Sequence, residues 1–78
     1  MNTKEIAEIL ISEIRKDADD WEFTVMTMYY HLLDVQKMGA LKGLIFDYND
    51  VAFAINELYA HKKELTIVPS DTVYKFID

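Results

Sequence analysis

Cysteine is absent from this chain, which excludes a disulfide framework and fits a reducing compartment. Proline occurs once and glycine twice in 78 residues, so no flexible linker divides the chain and one small domain over 1–78 is expected. Long apolar runs are missing too. Glu5, Glu8 and Glu13 interrupt the N-terminal MNTKEIAEILISEIRKD, which argues against both a signal peptide and a membrane span. Histidine is limited to His31 and His61, and serine to Ser12 and Ser70, neither of which stands in a strand-turn-helix elbow. There is no phosphate-binding loop, dinucleotide fingerprint, internal repeat or low-complexity tract. Positive charge is scarce. Eight Lys and Arg stand against fourteen Asp and Glu, for a net charge of −6, so general attraction to nucleic-acid phosphate is not expected.

What the chain does have is apolar and aromatic residues: half of it is hydrophobic, with one Trp, five Tyr and four Phe. A chain this short buries only somewhat more than about 60% of its unfolded surface. With no disulfide or metal staple, self-association is a reasonable way to gain buried area.

The organising stretch is Thr24–Gly39, TVMTMYYHLLDVQKMG. At helical spacing Val25, Met28, Tyr29, Leu32, Leu33 and Val35 share one broad arc, and Thr24, Thr27, His31 and Asp34 the other. Thr24 suits the N-cap and Gly39 the left-handed stop. Before it, Asn2 and Glu5 resemble a capping box, and Ile6, Ala7, Leu10, Ile11 and Ile14 predict a first helix over 3–16, with Ile9 to the side of the stripe. Between the helices Asp17, Asp19, Asp20 and Glu22 form the most acidic spot. It lacks the central Gly and closing Glu of a calcium loop and reads as a solvated connection. Trp21, Phe23 and Val25 alternate with polar residues as a strand would, although an extended lead-in to the helix is preferred.

Beyond Gly39, Leu44, Ile45 and Phe46 between Gly43 and Asp47 predict a buried strand over 41–46. Residues 50–63 read either as a hairpin partner, since Val51, Phe53 and Ile55 alternate with Ala52 and Ala54, or as a third helix, the reading that counts better over the whole window, capped by Asn49 or Asp50, with Val51, Ala52, Ile55, Leu58 and Tyr59 on one face and Phe53 off it. The tail predicts a hairpin turning at Pro69, Ser70 and Asp71. The expected fold class is α+β: about three helices on a small antiparallel sheet of about three strands, in the order α-α-β-α-β-β.

The run Tyr29–Phe46, YYHLLDVQKMGALKGLIF, resembles a stretch of winged helix-turn-helix regulators. In these a helix carrying His-Leu, then six residues and Gly, is followed by Leu and a strand; here the positions are His31, Leu32, Gly39 and Leu41. The resemblance implies a winged-helix-like fold, the hairpin as its wing, and a DNA-binding regulator. The chain departs from that pattern in its acidity and in the outer face of 24–38. That face carries Thr27, His31 and Asp34, where a reading helix brings Arg, Lys, Asn or Gln to base edges.

No residue set points to catalysis or to a cofactor, and no enzyme is expected. His31 with Asp34, and Glu57 with His61, are generic helix-face pairs whose default is surface hydrogen bonding rather than metal ligation. Tyr30, at the polar border of the central helix, and Phe53 are candidate interface residues together with Met26. The expectation is a small acidic, cytoplasmic module acting by contact with a protein partner or a second copy of itself. A winged-helix DNA binder is the first alternative. The second is an inhibitor whose carboxylates, Asp17, Asp19, Asp20 and Glu22 among them, imitate nucleic acid.

Overall fold

In a computed structural model of the chain, which describes residues 2–68 and 72–77, helix α1 runs Thr3–Asp17. Asn2 Oδ1 accepts the Glu5 N–H at 2.9 Å, removing one of the unpaired donors of the first turn. Arg15 and Lys16 occupy the last turn, where the helix dipole favours cations. Ala7, Leu10, Ile11 and Ile14 form the buried stripe. Helix α2 runs Val25–Lys37, and Thr24 and Thr27 cap it reciprocally, each side chain accepting the other's backbone N–H. Past its end Gly39 takes φ 96°, a conformation glycine adopts without steric cost.

Helix α3, Tyr48–Asn56, starts two residues before the expected position. The cap is neither Asn49 nor Asp50 but Asp47, which accepts the Asp50 N–H at 3.0 Å while Asp50 accepts the Asp47 N–H at 2.9 Å. The helix continues into one wide turn, Glu57–His61, closed by Lys62 N–H donating to Glu57 O at 2.9 Å. Lys63 then adopts φ 56° and the chain leaves for the sheet.

Strands β1, Leu65–Val68, and β2, Val73–Phe76, pair antiparallel, with Leu65 opposite Phe76 and Val68 opposite Val73. The turn expected at Pro69, Ser70 and Asp71 lies outside the described residues. The fold is α+β, with three helices and a two-stranded antiparallel sheet.

The strand expected over 41–46 is not one. Ala40–Gly43 is a short 3-10 turn in which Leu41, Lys42 and Gly43 take φ 65°, 50° and 74° in succession. Three left-handed residues in a row coil the chain tightly, so no strand can begin there. Leu44 and Phe46 are buried, but Ile45 between them is 88% exposed. The Leu44 carbonyl accepts from the Gln36 side chain instead of from a neighbouring strand. The extra sheet contact comes from Phe23: its N–H donates to Tyr74 O at 2.9 Å and its carbonyl accepts the Tyr74 N–H at 2.7 Å. Of the two readings of Trp21–Val25, the extended lead-in holds, and it also carries this single bridge.

One core joins these elements, with α3 packed against both α1 and α2. Leu10, Ile14, Met28, Leu32, Val51, Ala54, Ile55 and Leu58 are fully buried in it. Ala54 is the member that the expected face of α3 leaves out, while Tyr59, expected on that face, lies in the turn beyond α3 and is 38% exposed.

Candidate functional site

A partly exposed aromatic group centres on Tyr29 of α2. Its ring lies 5.7 Å from Tyr30, 5.8 Å from Tyr48 and 6.2 Å from Phe46, the last two edge to face. Phe46 is buried, whereas Tyr30 is 59% and Tyr48 43% exposed. Met26, one turn before Tyr30 on the same helix, is 56% exposed. Two of the three interface candidates, Met26 and Tyr30, therefore sit together. Tyr48 is a third member that the sequence places in a turn; starting α3 at Asp47 is what brings it to α2.

Phe53, the remaining candidate, lies elsewhere. It lines a groove of about 320 Å³ with Lys4, Ala7, Glu8, Ile11, Glu57 and Lys62. A larger groove, about 650 Å³, runs between α1 and the left-handed turn, lined by Glu5, Glu8, Ile9, Ser12, Glu13, Leu41, Lys42 and Leu44. The sideways position of Ile9 is the one sequence signal of this groove.

The polar face of α2 and the acidic connection are brought into contact. His31 Nε2 lies 2.9 Å from Asp17 Oδ2, with both side chains largely shielded. Trp21 covers the pair, its ring 5.5 Å from His31 and its Nε1–H donating to the Asp17 carbonyl. Burial opposes ionisation of Asp17, but the hydrogen bonds from Glu13 and His31 and the charges of His31 and Lys16 outweigh it, so its pKa falls below the ordinary carboxylate value. Glu13, one turn earlier, moves the opposite way: its hydrogen bond to Asp17, then burial, then the Asp17 charge raise its pKa, and Lys16 opposes them. Asp17 thus belongs to a polar lock between α1 and α2, whereas Asp19, Asp20 and Glu22 remain exposed. Thr27 is taken up by the cap, and Asp34 is exposed.

The sign of the Glu13 shift makes a prediction. A carboxyl whose pKa is raised on folding destabilises the fold once pH exceeds that pKa, because the native state then holds a charge it disfavours. Glu13→Gln should therefore stabilise the protein at pH 7 by about 0.2–0.5 kcal/mol, the size of a like-charge pair one helical turn apart. The gain should vanish on acidification below the unfolded carboxylate range, about pH 4. Asp17 gives the opposite trend, since its contribution is present above its unfolded pKa and is lost as pH falls through the folded one. Urea unfolding of Glu13→Gln and the parent at about pH 3 and pH 7 measures the difference.

His61 Nδ1 lies 2.9 Å from Glu57 Oε1 within one helix. Among the described residues no three His, Asp or Glu side chains come together as metal ligands, and no helix is long and apolar enough to cross a membrane. No family model, curated protein or solved structure matches the chain.

Proposed function

We propose that the chain is a small acidic, cytoplasmic module that works by protein–protein contact, and that it self-associates through the surface formed by Met26 and Tyr30 of α2 and Tyr48 of α3. The observation that carries the reading is the aromatic group around Tyr29. Large aromatics exposed side by side are costly to leave in water and are the residues that anchor interfaces. The face carries no formal charge at those positions, while the molecule as a whole carries −6. The net charge makes two copies repel at long range, and an uncharged contact adds nothing to that repulsion. A standard interface takes about 800 Å² from each partner, about a sixth of the 5051 Å² surface.

Sedimentation at micromolar concentration tests this. The parent chain is expected to dimerise, more tightly as added salt screens the repulsion. Tyr30→Asp should return it to a monomer, lowering affinity at least tenfold, with an unchanged far-ultraviolet spectrum. A parent chain that stays monomeric through that range at moderate salt overturns self-association.

A second reading, the winged-helix DNA binder, draws support from the hairpin that follows α3 directly and from the exposed Lys62, Lys63 and Lys75. The engagement of His31 with Asp17 speaks against α2 as its reading element. Duplex DNA binding that weakens steeply with salt would favour it, a salt dependence opposite to that of the dimer. The nucleic-acid mimic has less support, because Asp17 is drawn inward, away from Asp19, Asp20 and Glu22.

A further inference from the structure

We infer that the groove between α1 and the left-handed turn is a docking site for a cationic amphipathic segment of a partner protein, its apolar side chains on Ile9, Leu41 and Leu44 and its Lys or Arg side chains on Glu5 and Glu8. The inference deepens the protein-contact reading and does not depend on self-association through Tyr30.

Residues 5, 8, 9, 12 and 13 recur at helical spacing and form a second stripe on α1, beside the buried one. From Glu5 to Glu13 it covers nine residues and about 12 Å, room for about two turns of a docked helix. The floor is apolar, since Leu41 and Leu44 are buried and Ile9 is half-buried. The rim holds the carboxylates of Glu5 and Glu8 and one cation, Lys42, while Glu13 beside them is already paired with Lys16. The volume of about 650 Å³ is in the range of sites that enclose ligands of several hundred daltons.

Charge then selects the occupant. Nucleic acid would set phosphates against carboxylates. A second copy of the chain brings a net charge of −6, and two of the three cations on its own α1 are engaged, Arg15 with Glu64 and Lys16 with Glu13. A segment pairing apolar residues with Lys or Arg at helical spacing satisfies both floor and rim, as amphipathic helices do in apolar grooves. Complementary charge would also speed encounter and reject acidic partners.

The test uses the full chain and two synthetic peptides of about fourteen residues, about four helical turns, built from Leu with Lys or from Leu with Glu in the same pattern. Amide chemical-shift mapping is expected to place the Lys peptide on Ile9, Ser12, Leu41 and Lys42, with affinity falling as salt rises. The Glu peptide should not bind. Glu5→Lys with Glu8→Lys should weaken the Lys peptide about tenfold or more, whereas the charge-matched Asp19→Lys with Asp20→Lys should change it by less than about twofold, because rim charges act locally at physiological salt. Equal losses in the two double variants, or shifts centred on Asp19–Glu22, overturn the proposal. So does a parent chain that dimerises but leaves the Lys peptide unbound, and in that case the protein-contact reading stands. A monomeric parent that still takes the peptide in the groove supports the docking site while self-association fails.

Discussion

Phe23→Ala is expected to lower folding stability by about 3–5 kcal/mol, the cost of emptying a fully buried aromatic site. Phe23 is 2% exposed, and its ring lies 5.8 Å from Trp21, 6.1 Å from Tyr74 and 6.3 Å from Phe76. Removing it leaves a cavity between the start of α2 and the hairpin, which rigid neighbours fill only in part. The same residue carries both backbone bonds to Tyr74. A two-stranded hairpin is marginal by itself in water, so loosening this latch should also free β1 and β2. Urea unfolding should show a lower midpoint, and hydrogen exchange at residues 65–68 and 73–76 should accelerate more than in α1. An unfolding free energy within about 1 kcal/mol of the parent would mean that the hairpin does not rely on Phe23.

Leu32→Ala is expected to cost about 2–5 kcal/mol, the range for deleting a buried leucine with partial collapse of the cavity. Leu32 is fully buried on α2, and the helix has only one other fully buried residue, Met28. At roughly 0.05–0.15 kcal/mol per residue the whole fold holds about 4–12 kcal/mol, so this one change removes a large share of it. Ile45→Ala is the matched control. Because Ile45 is almost wholly in water, its truncation should stay within about 0.5 kcal/mol. Thermal or urea midpoints of the two variants compare them directly, and similar losses would mean that the burial of α2 is misassigned.

The contrast between Leu32 and Ile45 also shows how far the sequence can be read. Thr24–Gly39 is legible because cap, period and stop residue all concern neighbours within a few positions, and the structure uses all three. Leu44, Ile45 and Phe46 are not, because an apolar run states a preference for burial without saying whether a strand exists to pair with it. The left-handed values at Leu41 and Lys42 run against local preference and are set by tertiary packing, which draws Leu41 into the core. Alternation around Phe23 holds the missing sheet contact, yet one bridged residue is too short to register as a strand. Met26 and Tyr30 are visible from helical phase alone. Tyr48 is not, since it reaches them only through an Asp47–Asp50 cap competing with Asn49 two positions on. The groove on α1 needs a second wall contributed by residues some thirty positions away, which no local window contains.

The wide turn closing α3 has a bearing on which length changes the chain can absorb. Each residue of regular helix rotates the chain beyond it by about 100°, and a bond from Lys62 to Glu57 in place of the usual spacing inserts one such step. The segment after Lys62 therefore departs at an azimuth that a uniform helix would not supply, upstream of the strands that carry Tyr74 to Phe23. Loss of a single residue between Glu57 and Lys62 would leave the helix itself regular and sound, yet it would swing the ribbon out of line with its latch.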